Sequence, residues 1–233
     1  QIEVPVEHAV DAFRKIIGFV IPNVCAKLGA PELFAPPSAD IRSLIPVDGP
    51  YICLHFGNSW VSSGKSALRS WPSAHWQQLL LHWKSHFPHH TPVIIGTAAE
   101  RELAASILAG IDGCIDLCGR TDVPQMMAVI AGADALVSTD TGPSHMAAAL
   151  GIPVVSVFGP TQPRQTGPFD DGRNFVQILS ARLPCSPCVG TPAFQSCANN
   201  VCMAAVTPDM VAASVCRLIR SRQAALESRA VPN

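Results

Sequence analysis

Six short apolar runs recur along the chain: YICLHF (51–56), PVIIGT (92–97), CIDLC (114–118), ALVST (135–139), PVVSVF (153–158) and FVQIL (175–179). Each is apolar along its length and does not alternate strictly, which predicts parallel strands buried on both faces. Between them SAHWQQLLLHWKSHF, AAERELAASILAG, VPQMMAVIAGA and GPSHMAAALG place apolar side chains at helical spacing. Strand and helix in alternation predict an α/β fold, a Rossmann-like open parallel sheet with helices on both faces. A helix is also expected over residues 8–19 (HAVDAFRKIIGF), and the Pro- and Ser-rich stretch from Pro31 to Pro50 reads as a linker. Residues 182–206 break the rhythm with four cysteines and three prolines. A last helix is expected from Thr207 to Arg229, opened by a capping hydroxyl, a first-turn proline and Asp209. The expected division is a helix and linker over 1–50, a Rossmann-like unit over 51–206, and a helix and tail over 207–233.

With 48% hydrophobic and 14% charged residues in 233, the chain can fill the core of one large domain or two small ones. A net charge of -1 gives no overall positive field for nucleic acid or anionic lipid, so any anion must be bound locally. No apolar stretch reaches the roughly 18 residues of a membrane span. The start, QIEVPVEHAV, lacks the charged-then-apolar plan of a signal peptide, and its first residue, Gln1, points to missing residues upstream. Nine cysteines without an export signal are read as free thiols or a metal site. Cys53, Cys114, Cys118 and Cys216 fall within apolar runs and are expected in the core.

The most informative stretch is STDTGPSHMAAALGIPVVSVFGPTQPRQTGP (138–168). A strand ends at Thr139, Asp140 and Thr141 follow, Gly142 permits close backbone approach, and a helix opens near Pro143. Ligands of open α/β sheets bind beyond the carboxyl ends of strands, where helix amides favour phosphate, so this layout suits a diphosphate. The plainer alternative is that Asp140 or Thr141 merely caps the helix and His145 is a satisfied polar residue. A second strand ending in FGPTQP beside the first favours a cleft.

The string DTGPSHMAAALGIPVVSVFGPTQP resembles the signature of the ADP-heptose:lipopolysaccharide heptosyltransferases, glycosyltransferase family 9. Gly119-Arg120-Thr121, Arg69-Ser70-Trp71-Pro72, the pair Cys185 and Cys188, and Cys202-Met203 before a Thr-Pro-Asp helix extend the likeness from about residue 8 to about residue 220. The resemblance implies one half of a two-domain GT-B architecture, binding an ADP-sugar for inverting transfer to a lipopolysaccharide core acceptor. It implies that Asp140, Thr141, Gly142 and His145 surround the donor diphosphate and sugar, and that Arg69 offers charge to the leaving ADP. Thr121 is expected against adenine, Glu100 at the ribose hydroxyls, and Asn58 and Ser59 at the phosphates. The base that deprotonates the acceptor comes, in the family, from an amino-terminal domain that this sequence does not contain, and the acceptor is reached through that same missing domain. No cofactor is required, no nucleic-acid partner is expected, and the implied location is cytoplasmic, with peripheral association at the inner face of the inner membrane left open.

Such a transfer builds negative charge on the departing diphosphate, which prearranged amides and cations stabilise as it develops. GNSWVSSGKS (57–66) mimics a P-loop, but six residues separate its glycines and Pro72 interrupts the following helix, so Lys65 is not expected to cradle ATP. No G-x-G-x-x-G marks a strand end, which argues against NAD or FAD. Cys185, Cys188, Cys197 and Cys202 have the spacing C-x2-C-x8-C-x4-C, which admits structural zinc, a free-thiol loop or a disulfide formed on oxidation. Rival functions are a non-catalytic nucleotide-sugar-binding module and an enzyme using a UDP-sugar.

Overall fold

All six apolar runs become strands in the computed structural model, which describes residues 7–20, 31–34, 41–58, 65–170, 172 and 175–230. They are β1 (Tyr51–Leu54), β2 (Thr91–Ile94), β3 (Ile115–Asp116), β4 (Ala135–Thr139), β5 (Val154–Phe158) and β6 (Val176–Ser180). Every neighbouring pair is parallel and the order is β3-β2-β1-β4-β5-β6. The chain therefore builds outward from β1 to β3, returns, and builds outward again from β4 to β6. Its topological switch point lies between β1 and β4, the place where an open α/β sheet offers a crevice beyond its carboxyl edge.

The helices are α1 (Ala9–Val20), α2 (Ser73–Leu81), α3 (Trp83–His86), α4 (Arg101–Leu108), α5 (Val123–Ala131), α6 (Gly142–Ala149), α7 (Pro163–Thr166), α8 (Pro192–Gln195), α9 (Val201–Ala204) and α10 (Pro208–Ala230). The continuous apolar strands serve two cores at once. Ile52, Leu54, Ala135, Val137, Val155 and Val157 pack with Trp76 and Leu79 of α2, Ile107 of α4 and Val211, Val215 and Ile219 of α10. Cys53, Val93, Leu136 and Val154 face the other way, onto Val129 and Ile130 of α5 and Ala147 and Ala148 of α6. Successive strand residues point to opposite faces, so a strand covered on both sides has no polar position to spare. Each aliphatic side chain that α10 buries contributes about 1.5–3 kcal/mol, so this helix belongs to the same core as the sheet.

Local chemistry sets the boundaries. Asp122 and Gln125 close a capping box at α5, with Pro124 in its first turn. Thr207 accepts from the Met210 amide at the start of α10. The expected single helix of SAHWQQLLLHWKSHF is instead α2 and α3, parted at His82, whose ψ of 13° leaves the helical range. AAERELAASILAG opens with a 3-10 turn, Ala98–Glu100, before α4. Of the four cysteines expected in the core, Cys53 and Cys118 are buried, while Cys114 and Cys216 are half-buried against its edge.

Candidate functional site

A cleft of about 410 Å³ opens at the switch point. His55 and Asn58 beyond β1, Gly96, Thr97 and Glu100 beyond β2, Thr121 to Val123 and Met126 around the start of α5, and Thr141 to Pro143 beyond β4 line it. Four strand-to-helix connections thus meet at the carboxyl edge of the sheet. Thr141 occupies the N-cap position of α6 in extended conformation, yet its side chain makes no capping hydrogen bond. Neither Asp140 nor Thr141 serves as a side-chain cap, so the plainer reading of this motif does not describe the loop. The amino end of α6, carrying partial positive charge, faces the cleft uncapped by any side chain.

Two buried carboxylates flank this opening. Asp140 Oδ2 accepts from Arg69 Nη2 at 2.6 Å, and the same nitrogen lies 3.1 Å from the Asp140 carbonyl oxygen. Both residues are buried, at 8% and 6% exposure. Arg69 ends a 3-10 turn, Ser66–Arg69, and does not line the cleft, so its charge is committed to the Asp140 loop. Thr166 of α7 also donates to Asp140 Oδ2, at 3.4 Å.

Glu100 lies on the opposite wall and does line the cleft. Its Oε2 accepts from the Thr97 amide (2.6 Å) and hydroxyl (2.8 Å), and its Oε1 lies 3.3 Å from Nε2 of His55. Burial alone raises its pKa, but the hydrogen bond and charge of His55 and the two Thr97 donors outweigh it and bring the carboxyl down to about 2. Glycines make room for this group: a Cβ on Gly57 would sit 1.5 Å from Glu100 Oε1, and one on Gly96 would sit 3.0 Å from Oε2.

Of the other expected site residues, Thr121 lines the cleft, and Asn58 lines it while donating to Ser70 Oγ at 2.7 Å. Ser59 lies outside the described residues. His145 does not line the cleft; it lines a second hollow of about 450 Å³ with Val10, Met146 and Phe169, and Gly142 is common to both. Burial lowers the His145 pKa against the raising effect of Asp140. Lys65 donates to the carbonyls of Phe194 and Gln195, away from the cleft. Sequence reasoning missed His55, which touches both walls; the available signal was a histidine closing an otherwise apolar strand run.

A sheet of this order, a crevice at its switch point and an uncapped helix at an Asp-Thr-Gly turn describe a Rossmann-like unit. Residues 3–198 match the sequence profile of glycosyltransferase family 9 (heptosyltransferase). The chain belongs to this family. It is 34% identical over 190 residues to lipopolysaccharide heptosyltransferase 1 of Pseudomonas aeruginosa, covering 78% of this chain and 48% of that protein. The structure of E. coli ADP-heptose LPS heptosyltransferase II superposes with a TM-score of 0.66 at 21% identity, covering 85% of this chain and 57% of that one. E. coli heptosyltransferase WaaC with ADP superposes at 0.60 and 20% identity, covering 92% and 58%. Both share the fold, and the family 9 chain spans about half the length of the Pseudomonas relative.

The cysteine-bearing segment of this family 9 chain is where the spacing admits structural zinc, a free-thiol loop or a disulfide. Among the described residues, no three His, Cys, Asp or Glu side chains gather as metal ligands. Cys188 is buried with Leu68 and Phe194, Cys202 is buried beside Met203, Cys197 Sγ lies 3.2 Å from the Asn199 carbonyl, and Cys185 is exposed. Burial pushes the Cys188 thiol up, with neighbouring Cys185 and Cys197 adding to it, and burial pushes the Cys202 thiol up against a lowering backbone hydrogen bond from Met203.

Proposed function

We propose that this chain is the donor-binding half of an inverting glycosyltransferase, with ADP-heptose its donor and a lipopolysaccharide core its acceptor. The observation that carries the proposal is the uncapped amino end of α6 at the switch point, beside an Asp140 carboxylate already neutralised by Arg69. A diphosphate there meets backbone amides and the helix dipole without facing a bare carboxylate. Family membership and the name of the E. coli structural neighbour support ADP-heptose over other donors. Thr121 and Met126 then border the base, Glu100 accepts from the ribose hydroxyls, and Thr141 and Gly142 approach the diphosphate. Arg69 acts through Asp140 on the shape of that loop.

The donor-binding unit is residues 51–206 together with α10, which shares its core. Both carboxylates at the crevice are engaged, Asp140 by Arg69 and Glu100 by His55 and Thr97, so neither suits the role of base toward an acceptor. This engagement also favours a second reading, a nucleotide-sugar-binding module that does not itself transfer. Among the described residues no helix is long and apolar enough to cross a membrane, so any approach to lipopolysaccharide is peripheral in this proposal.

The test is calorimetric titration of the chain with ADP, UDP and ADP-heptose. Preference for ADP and its sugar over UDP is expected. Equal binding of UDP, or no binding to a folded sample, would sink the reading, and sugar transfer to a lipopolysaccharide core by the chain would exclude the module.

A further inference from the structure

His55 is the first residue past β1, and its backbone amide extends the ladder to Val137. Its side chain is 5% exposed and engaged at both ring nitrogens. Nε2 meets Glu100 Oε1 at 3.3 Å. Nδ1 lies 3.2 Å from Thr141 Oγ1 and 3.4 Å from Ser138 Oγ, and those two hydroxyl oxygens are 2.7 Å apart. One imidazole therefore spans the crevice floor between the wall that carries Glu100 and the loop that opens α6.

The chemistry of this chain fixes its direction. An ionised carboxylate only accepts, so Nε2 of His55 carries the proton that faces Glu100. Nδ1, the other ring nitrogen, then shares its hydrogen bond with the Thr141 hydroxyl, which is itself hydrogen-bonded to Ser138 Oγ. Threonine at an N-cap position ordinarily turns its hydroxyl onto its own helix amides. Here the hydroxyl points inward instead, and no side-chain cap forms on α6. It lies among Ser138 Oγ (2.7 Å), His55 Nδ1 (3.2 Å) and the Thr139 carbonyl oxygen (3.5 Å), and of these His55 alone comes from the opposite wall's network.

We propose that His55 is a positioning residue that couples the ribose-side carboxylate of Glu100 to the phosphate-side loop of Thr141, so that the crevice recognises a nucleoside diphosphate as one pre-set unit. The inference rests on the donor-binding reading and goes beyond it, because it makes two contacts on opposite walls interdependent. Without the imidazole, Glu100 loses a donor, Thr141 is released to cap α6, and the site for the diphosphate closes at its own amides.

The experiment is a double-mutant cycle read by calorimetric ADP binding: Glu100→Gln, Thr141→Val and the double variant, each with His55 and in the His55→Phe background. Thermal unfolding confirms that every variant is folded. With His55 present, the double variant is expected to lose roughly tenfold less affinity than the product of the single losses. In His55→Phe the losses multiply to within about twofold, the behaviour of independent sites. His55→Asn, whose amide retains the Nδ1 side only, and His55→Gln, which retains the Nε2 side only, each stay folded and fail to restore the coupling; they serve in place of His55→Phe should that variant not fold. A general loss of structure would not remove coupling while leaving each single effect measurable. Multiplying losses with His55 present, or coupling that survives its removal, overturns the proposal while leaving donor binding intact. No ADP binding by the native chain overturns the donor-binding reading and the coupling with it.

Discussion

The two walls of the crevice each carry a buried carboxylate, and the fold treats the two in opposite ways. Asp140, beside the opening of α6, is bound by the permanent cation of Arg69 and turned out of the cleft. Glu100, on the far wall, is held by His55 and Thr97 and left facing it. Unit charges about 4 Å apart near a protein surface interact by about 4 kcal/mol, enough to decide whether a diphosphate binds. Negative charge is cancelled where phosphate is proposed to approach and kept where hydroxyl donors are proposed to come. Two acidic residues of similar burial thus have different work, and the difference lies in their partners.

The sharpest way to break this contrast is to remove the cation. Arg69→Ala leaves Asp140 buried without its partner, and stranding one member of a buried pair costs about 3–5 kcal/mol. Urea unfolding followed by tryptophan fluorescence should show that loss together with loss of ADP binding. Replacing both members, Arg69→Met with Asp140→Leu, should recover most of the stability but not the binding. A single-variant cost below about 1 kcal/mol would mean that the pair does not hold the loop.

Glu100 is expected to behave differently because its partners depend on its ionisation. Its folded pKa of about 2 lies below the ordinary 4.5, so its contribution is complete above pH 4.5 and is lost as pH falls toward 2. A shift of that size corresponds to about 3 kcal/mol. Glu100→Gln should therefore cost about 2–3 kcal/mol at pH 7, with the gap to the native chain narrowing steadily between pH 4.5 and pH 3. A gap independent of pH would show that the carboxylate contributes shape and no charge.

Glycines give a smaller and more local comparison. Gly57→Ala drives its new methyl into the pinned Glu100 carboxylate, and overpacking of this kind costs about 1–3 kcal/mol. Nothing lies within 4 Å of the corresponding position on Gly142. Gly142→Ala should leave unfolding free energy within about 0.5 kcal/mol of native. If the diphosphate packs against this backbone, the same change should still weaken ADP binding roughly tenfold, since a methyl there displaces ligand and not protein. Unchanged ADP affinity in Gly142→Ala would move the phosphate away from α6.

These contrasts were legible in the sequence to different depths. The six strands and their parallel direction could be read because the central strands β1, β4 and β5 are buried throughout, leaving apolar runs that do not alternate. The Asp-Thr-Gly turn was legible because strand end, glycine and helix start are local. The partners were not: Arg69 pairs with Asp140 across 71 residues and His55 reaches Thr141 across 86, and no periodicity encodes such distances. Arg69 was accordingly expected to supply charge to the phosphates, and its pairing with the Asp140 carboxylate went unread. The cysteine spacing left three readings open for the same reason. Whether four thiols converge depends on the path of the loop, and here Cys188 and Val189 both donate backbone amides to the Pro160 carbonyl, tying that path to the end of β5.

The smallest expected effect belongs to His145, and it sharpens where the donor ends. Burial lowers its pKa, so at pH 7 the imidazole is neutral and offers a diphosphate no charge. It lines the hollow that meets the cleft only at Gly142, the side proposed to receive a sugar attached to the outer phosphate. His145→Asn should therefore leave ADP affinity within about twofold of native while weakening ADP-heptose by roughly three- to tenfold, the worth of about one neutral hydrogen bond. Parallel titrations of the two ligands measure the ratio. An equal loss for both would put His145 at the diphosphate and undo the separation of the two hollows. A loss for neither would mean that the sugar turns away from α6, toward the opposite side of the crevice.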